Sequence, residues 1–281
     1  MGKQPKTKKI TMDNTNQAGT YAFGAFDENS KELKRLSHQA SIALDLERKL
    51  WKDCGLTDGM KAIDLACGPG ITSSAIAELI PGGQVLGVDI SQELIDVAKA
   101  NNQKNPLDNL SFQTGNVYDL DLKENSFDFA YSRFLFQHLE HPVKALKNVL
   151  RILKPGGIYC IADVDDGWLM VYPELKAFSS FTSAAAQNQR KNGGDRFVGR
   201  KFSAYFKEAG FTQVNQFVVP ITSEDIGMKN FLDITTGFKL EQIAADKKEQ
   251  SKKELEKIYS LVDDPGSWGA VGVFVGKGIK P

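Results

Sequence analysis

Cysteine is scarce in this chain. The three present in 281 residues, Cys54, Cys67 and Cys160, are odd in number and share no metal-ligand spacing, so they argue against a disulfide framework and a cysteine-bound metal. They read as reduced core thiols of a cytosolic protein. Surplus charge is absent too: Lys plus Arg and Asp plus Glu both count 35. A partner held through its phosphate backbone usually demands a basic excess, so no nucleic acid is expected. No apolar run reaches the roughly 18 residues that a bilayer crossing needs, and the N-terminus has no apolar signal region. The expectation is a soluble, cytoplasmic chain without membrane contact. Internal repeats and long linkers are also missing.

What is present is ordinary globular composition, 41% hydrophobic and 25% charged, enough for one large α/β domain with insertions. Residues 1–20 carry Lys3, Lys6, Lys8 and Lys9 but few apolar groups, and predict a disordered tail. Tyr21 to Phe26 is aromatic. It reads either as a hydrophobic staple for the helix that follows or as a lid over a ligand. From Asp27 to Ser30 onward, Leu33, Leu36, Ala40, Leu44 and Leu50 recur at helical spacing.

Five apolar runs then alternate with helical patterns. The runs are 62–65, 85–89, 110–113, 127–132 and 158–164; the helices are 71–79, 92–101 and 143–153. Such alternation specifies a parallel sheet with right-handed crossovers and helices on both faces. With further strands over 214–221 and 270–276, the fold predicted is a doubly wound, mostly parallel seven-stranded sheet carrying an N-terminal helix. Helical cap insertions are predicted at about 165–200 and 222–264, making 21–281 a single domain.

The chain is organised around Asp64-Leu65-Ala66-Cys67-Gly68-Pro69-Gly70-Ile71, a strand that breaks into a glycine turn and reopens as a helix. Glycine can take positive φ and lets a ligand approach the main chain, while the first N–H groups of the helix face the same space. A dinucleotide site wants G-x-G-x-x-G. Here the third glycine is replaced by Ser73, and Asp64 stands where a pyrophosphate would be repelled but an ammonium could be held. Asp89 ends the second strand, the place from which a carboxylate grips ribose hydroxyls.

This stretch resembles motif I of class I S-adenosylmethionine-dependent methyltransferases, with Asp89 matching the acid after their second strand. The resemblance continues through Phe127 to Phe134, Gln137-His138-Leu139 and Leu153-Lys154-Pro155-Gly156-Gly157. The flanks are similar to a bacterial small-molecule branch related to ubiquinone biosynthesis. It implies methyl transfer from S-adenosylmethionine to the oxygen, nitrogen or carbon of a small molecule, with S-adenosylhomocysteine as product. The cofactor contacts it implies are Tyr21, Asp64, Ala66, Gly68, Gly70, Asp89, Ile90, Asn116, Val117, Ser132 and Arg133. Asn116 departs from the acid common there, although its carbonyl can still accept a hydrogen bond.

His138 and Asp163 are the candidate catalytic residues. An imidazole titrates near neutrality, although a histidine in the first turn after the fourth strand is more often an oriented structural hydrogen bonder. Asp163, Asp165 and Asp166 are expected to crowd one strand end and raise one another's proton affinity. Trp168, Met170, Phe178 and Phe181 line an acceptor pocket if the cap helix folds over the cleft, and core packing explains them equally well. No metal site is predicted, and exchange of the N-terminal tail and helix between subunits is the route by which a homo-oligomer would form. Two other readings stay open, a non-catalytic S-adenosylmethionine-binding protein and an NAD-dependent oxidoreductase. Ser73 counts against the second.

Overall fold

A computed structural model of the chain describes Thr20 and residues 29–281. The expectations for the tail and for Tyr21 to Phe26 fall outside the described residues. Seven strands, β1 (Lys61–Leu65), β2 (Gln84–Asp89), β3 (Leu110–Thr114), β4 (Phe127–Arg133), β5 (Leu153–Tyr172), β6 (Thr212–Thr222) and β7 (Trp268–Ile279), form one sheet. Their order is β3-β2-β1-β4-β5-β7-β6. The first five run parallel, and β7 lies antiparallel between β5 and β6. The order reverses between β1 and β4, and the carboxyl ends on either side of that point frame a crevice.

The helices follow from the apolar spacing. In α1 (Asn29–Cys54) the stripe ends in buried Leu50, Trp51 and Cys54. After α2 (Ile71–Leu79), the helix α3 (Gln92–Lys104) is capped by Ser91, whose hydroxyl oxygen accepts from the Leu94 N–H at 3.3 Å; a serine suits that position because it satisfies an otherwise orphan donor. Pro142 opens α4 (Pro142–Ile152), where its missing N–H costs nothing, and Ala145, Leu146, Val149 and Ile152 form the buried face. Trp51, Ile76 and Ile95 from α1, α2 and α3 pack on one face of the sheet against Ala62, Phe129 and Cys160. On the other face, α4 and α6 (Phe202–Ala209) pack Leu146, Phe202 and Phe206 against Ile63, Ala130 and Ile161.

One expectation is corrected by β5. Instead of ending near residue 164, the strand shifts register between Val164 and Leu169 and then continues beside β7 to the pair Tyr172 and Trp268. The polar stretch Asp165-Asp166-Gly167 reads as a loop, but a partner strand supplies its neighbours with ladder bonds. The cap therefore begins later, with α5 (Lys176–Lys191), and is completed by α7 (Ser223–Ile226), α8 (Met228–Thr235), α9 (Lys248–Tyr259) and short 3-10 turns. Its own core joins Phe178, Phe181, Phe231, Leu232 and Ile258 to Val171, Ile221 and Val271 of the strand extensions. Among the described residues, no helix is long and apolar enough to cross a membrane.

Candidate functional site

The strand-turn-helix at β1 and α2 shapes one wall of a cleft. Gly68 takes φ 55° and Gly70 φ 82°, yet they do different work. A Cβ built on Gly68 would meet none of the described residues within 4 Å, whereas one on Gly70 would stand 2.7 Å from the Phe112 ring and 2.9 Å from the Ala98 Cβ. Gly68 thus faces open space, while Gly70 lets α2 sit close to α3 and β3. The packing duty sought in a third glycine is met by Gly70. Ser73, at the vacated position, donates its hydroxyl to Asp64 Oδ2 at 2.6 Å.

Nine of the candidate cofactor-contact and catalytic residues line this one cleft: Asp64, Ala66, Gly68, Asp89, Ile90, Asn116, Val117, Arg133 and His138. Asp64 is buried, and desolvation pushes its carboxyl up to about 7, with the Ser73 hydrogen bond and Arg133 opposing and Glu47 and Asp89 adding. Asp89 accepts from the Gly68 N–H through one oxygen and from the Ser91 N–H through the other, both at 2.9 Å. Burial still raises its carboxyl. Ile90, 49% exposed, offers an apolar side chain beside it. Asn116 Oδ1 accepts from the Tyr118 N–H at 2.9 Å and keeps a second lone pair. Ala66 and Phe134, both at the cleft, hold φ of 60° and 53°. Left-handed backbone at such residues costs on the order of 1–3 kcal/mol and tends to gather where a ligand is clamped.

Arg133 ends β4 and reaches Glu47 of α1, with Nη1 at 3.1 Å from each carboxylate oxygen. The same Glu47 accepts from Tyr131 Oη at 3.1 Å. This is an inward pair that joins the first helix to the cleft rather than a solvent-facing salt bridge.

Three assignments are corrected. Gly70 does not line the cleft, for the packing reason above. Ser132 is fully buried and bonds Tyr159 Oη at 2.9 Å, so the pleat points it into the core and away from the cleft. Asp163 also lies behind the wall. Its oxygens accept from the N–H groups of Gln137 (3.1 Å) and Val164 (2.8 Å), and burial pushes the carboxyl up to about 7. It ties the 134–138 turn to β5.

His138 lines the cleft, but its Nδ1 lies 2.8 Å from Thr20 Oγ1 and its carbonyl accepts from the Thr20 N–H at 3.0 Å. Burial and the cations Arg196 and Arg35 hold its ring down at about 3. A neutral imidazole that resists protonation is a poor general base.

The three neighbouring acids do not crowd one another. Asp165 is bound by Arg200, Nε at 2.6 Å and Nη2 at 2.6 Å. Asp166 is held by Arg196 (3.0 and 2.9 Å) and by the fully buried Lys239 (2.9 Å). Burial works against its charge, yet the two cations outweigh that and keep the carboxyl at about 2. Lys239 itself is drawn down to about 8 by burial and by Arg196, against the pull of Asp166. Of the two readings of Trp168, Met170, Phe178 and Phe181, pocket lining does not hold for any of the four. Trp168 and Met170 are half exposed on the opposite face of β5, and Phe178 and Phe181 belong to the cap core. The cap wall is made instead by Leu36, Leu169, Ile234, Phe238 and Val273 with Arg35 and Arg196. Glu47, Arg196 and Lys239 carry no motif, and nothing local in the sequence marks them. Among the described residues, no cluster of His, Cys, Asp and Glu is arranged to hold a metal.

Residues 56–217 match the family described as a methyltransferase domain. A 37.1 kDa uncharacterised protein in transposon TN4556 of Streptomyces fradiae is 32% identical over 167 residues, covering 59% of this chain and 46% of that one. The chain thus spans less than half the length of that relative. Demethylmenaquinone methyltransferase of Staphylococcus aureus is 27% identical over 224 residues, covering 73% of this chain and 91% of the relative. Among solved structures, phosphoethanolamine N-methyltransferase 2 of Haemonchus contortus in complex with S-adenosyl-L-methionine superposes with a TM-score of 0.61 at 18% identity. That alignment covers 94% of this chain and 61% of the other, and at such identity it speaks for the fold alone.

Proposed function

The chain belongs to the methyltransferase-domain family, and on that footing we propose that its cleft binds S-adenosylmethionine and that the protein passes the methyl group to a small molecule. The single observation that carries this reading is the convergence of Asp64, Gly68 and Asp89 on one open turn. The residues fit such a ligand. Gly68 leaves its Cβ direction empty, so an amino-acid moiety can lie against the backbone. Both Asp89 oxygens are oriented by backbone N–H groups and each retains a lone pair toward a vicinal diol. Asp64 is a buried acid whose charge an arriving ammonium would restore.

When bound, the sulfonium supplies a methyl group that is already activated. The protein's task is then to align, enclose and exclude water. Asp64 orients the ammonium directly or through water, Arg133 offers its remaining N–H groups to the carboxylate, Asp89 holds the ribose, and Ile90 and Val117 flank the base. Asn116 presents its carbonyl to the adenine amine. The cap residues Phe238 and Ile234 close the far side. His138 is assigned a holding role through Thr20 and Asp163 a bracing role, and no general base is assigned.

Calorimetric titration with S-adenosylhomocysteine tests the reading. Saturable binding is expected, and Asp89→Ala should weaken it roughly 10- to 100-fold, the loss of a hydrogen bond to a charged group being about 1.5–3 kcal/mol. Absence of binding, or an unaffected Asp89→Ala variant, overturns it. Incubation with methyl-labelled donor and fractionated extract then tests transfer, label being expected in the small-molecule fraction. Label confined to nucleic acid or protein would refute the acceptor class.

A further inference from the structure

We infer that the lobe of the cleft under the cap receives an uncharged, largely apolar acceptor; this rests on the methyltransferase reading above and deepens it. Leu36 of α1, Leu169 of β5, Ile221 of β6, Ile234 of α8 and Val271 and Val273 of β7 bring aliphatic groups to this lobe from five separate elements. The charged side chains on the same wall are engaged by partners inside the protein. Arg35 grips both oxygens of Glu32 at 2.7 and 2.6 Å. Arg196 is bidentate to Asp166 and donates its remaining nitrogen to Gln137, and the fully buried Lys239 also donates to Asp166, so this group keeps one net positive charge but no guanidinium nitrogen without a partner. The guanidinium faces are engaged as well, Arg35 and Arg196 lying 4.5 and 5.8 Å from the Phe238 ring centroid.

Among the described residues, a charged acceptor would meet no charged side chain on this wall that lacks an internal partner. It would have to break a buried pair or lose its hydration without compensation, and either is costly. An apolar body meets the reverse situation, since each part of it that covers these aliphatic groups removes apolar surface from water. The wall thereby selects against phosphorylated or zwitterionic acceptors by leaving them unpartnered, and it selects for apolar ones by burial.

The test uses the full chain saturated with S-adenosylhomocysteine and the uncharged fluorescent arene N-phenyl-1-naphthylamine, with phosphoethanolamine and glycine as charged competitors. Adjacent residues of β5 supply the control, because Leu169 lines the cleft while Met170 lies 49% exposed on the other face. Saturable probe binding is expected, weakened at least tenfold by Leu169→Glu and changed less than twofold by Met170→Glu, with neither competitor displacing it. Should Leu169→Glu lose the fold, as judged by circular dichroism, Ile234→Asn on the cap side makes the same comparison. No probe binding, loss through Met170→Glu alone, or displacement by either charged compound overturns the inference. A parallel titration of S-adenosylhomocysteine keeps the two readings apart. Failure there removes the methyltransferase assignment, whereas probe failure with intact nucleoside binding removes only the apolar acceptor.

Discussion

Asp64 and Asp166 are both buried acids at the cleft, and their neighbours drive them in opposite directions. Among the described residues, Asp64 has no cation in hydrogen-bond contact and sits at about 7, whereas Asp166 has two and sits at about 2. For Asp64 the folded carboxyl is raised, so its contribution to stability is full below the ordinary carboxylate range and is lost as pH rises through about 7. Ligand binding runs the other way, because an ammonium prefers the ionised form. The affinity for S-adenosylhomocysteine should therefore rise as pH increases through about 7, and Asp64→Asn should flatten that dependence in calorimetric titrations. For Asp166 the folded carboxyl is depressed, so its stabilisation is present at neutral pH and lost as pH falls toward about 2. Asp166→Asn leaves Arg196 and Lys239 buried without a counter-charge and should cost about 3–5 kcal/mol in urea denaturation. Asp64 and Asp89 were legible in the sequence because each ends an apolar strand beside a turn or helix start. The partners of Asp166 were not, lying 30 and 73 positions away with no pattern to link them.

The strand-turn-helix element separates two glycines that look alike in sequence. Gly70→Ala places a Cβ 2.7 Å from Phe112 at φ 82°, and should lower the midpoint of thermal unfolding by several degrees, a loss of about 1–3 kcal/mol. Gly68→Ala meets open space, so its stability cost is only the left-handed backbone, about 1–2 kcal/mol, and its larger effect should appear as weakened nucleoside affinity. Measuring both quantities on both variants checks the assignment. The same element shows why a missing third glycine was informative. Ser73 brings a hydroxyl to Asp64 that a glycine could not supply. In contrast, the far half of β5 was illegible, because Asp165-Asp166-Gly167 carries loop chemistry and becomes strand only where β7 runs alongside.

At the scale of the whole molecule, the sheet and its two helical layers leave all three cysteines buried. Cys54 on α1 and Cys160 on β5 meet at 3.2 Å between sulfurs, at the contact of the first helix with the sheet. A thiol-reactive probe is expected to label none of them in the native protein and three after denaturation; rapid native labelling would show that α1 does not stay packed on the sheet. The alternation of strands and helices made that layered order readable, since each element's period and length are local properties. The cap was not readable to the same extent. Its helices were visible as helices, but which of their residues face the cleft depends on packing against α1 and the ends of β5, β6 and β7.

The sequence by itself determined the αβ alternation, the turn at Gly68 and the two strand-end carboxylates, because each is written in neighbouring residues and backbone preference. Only the tertiary structure decided that Ser132 and Asp163 turn away from the cleft, that His138 is held neutral, and that Asp166, Arg196 and Lys239 form one buried group. Those outcomes depend on the side of a pleat and on desolvation by residues distant in the chain, and neither is encoded in local spacing.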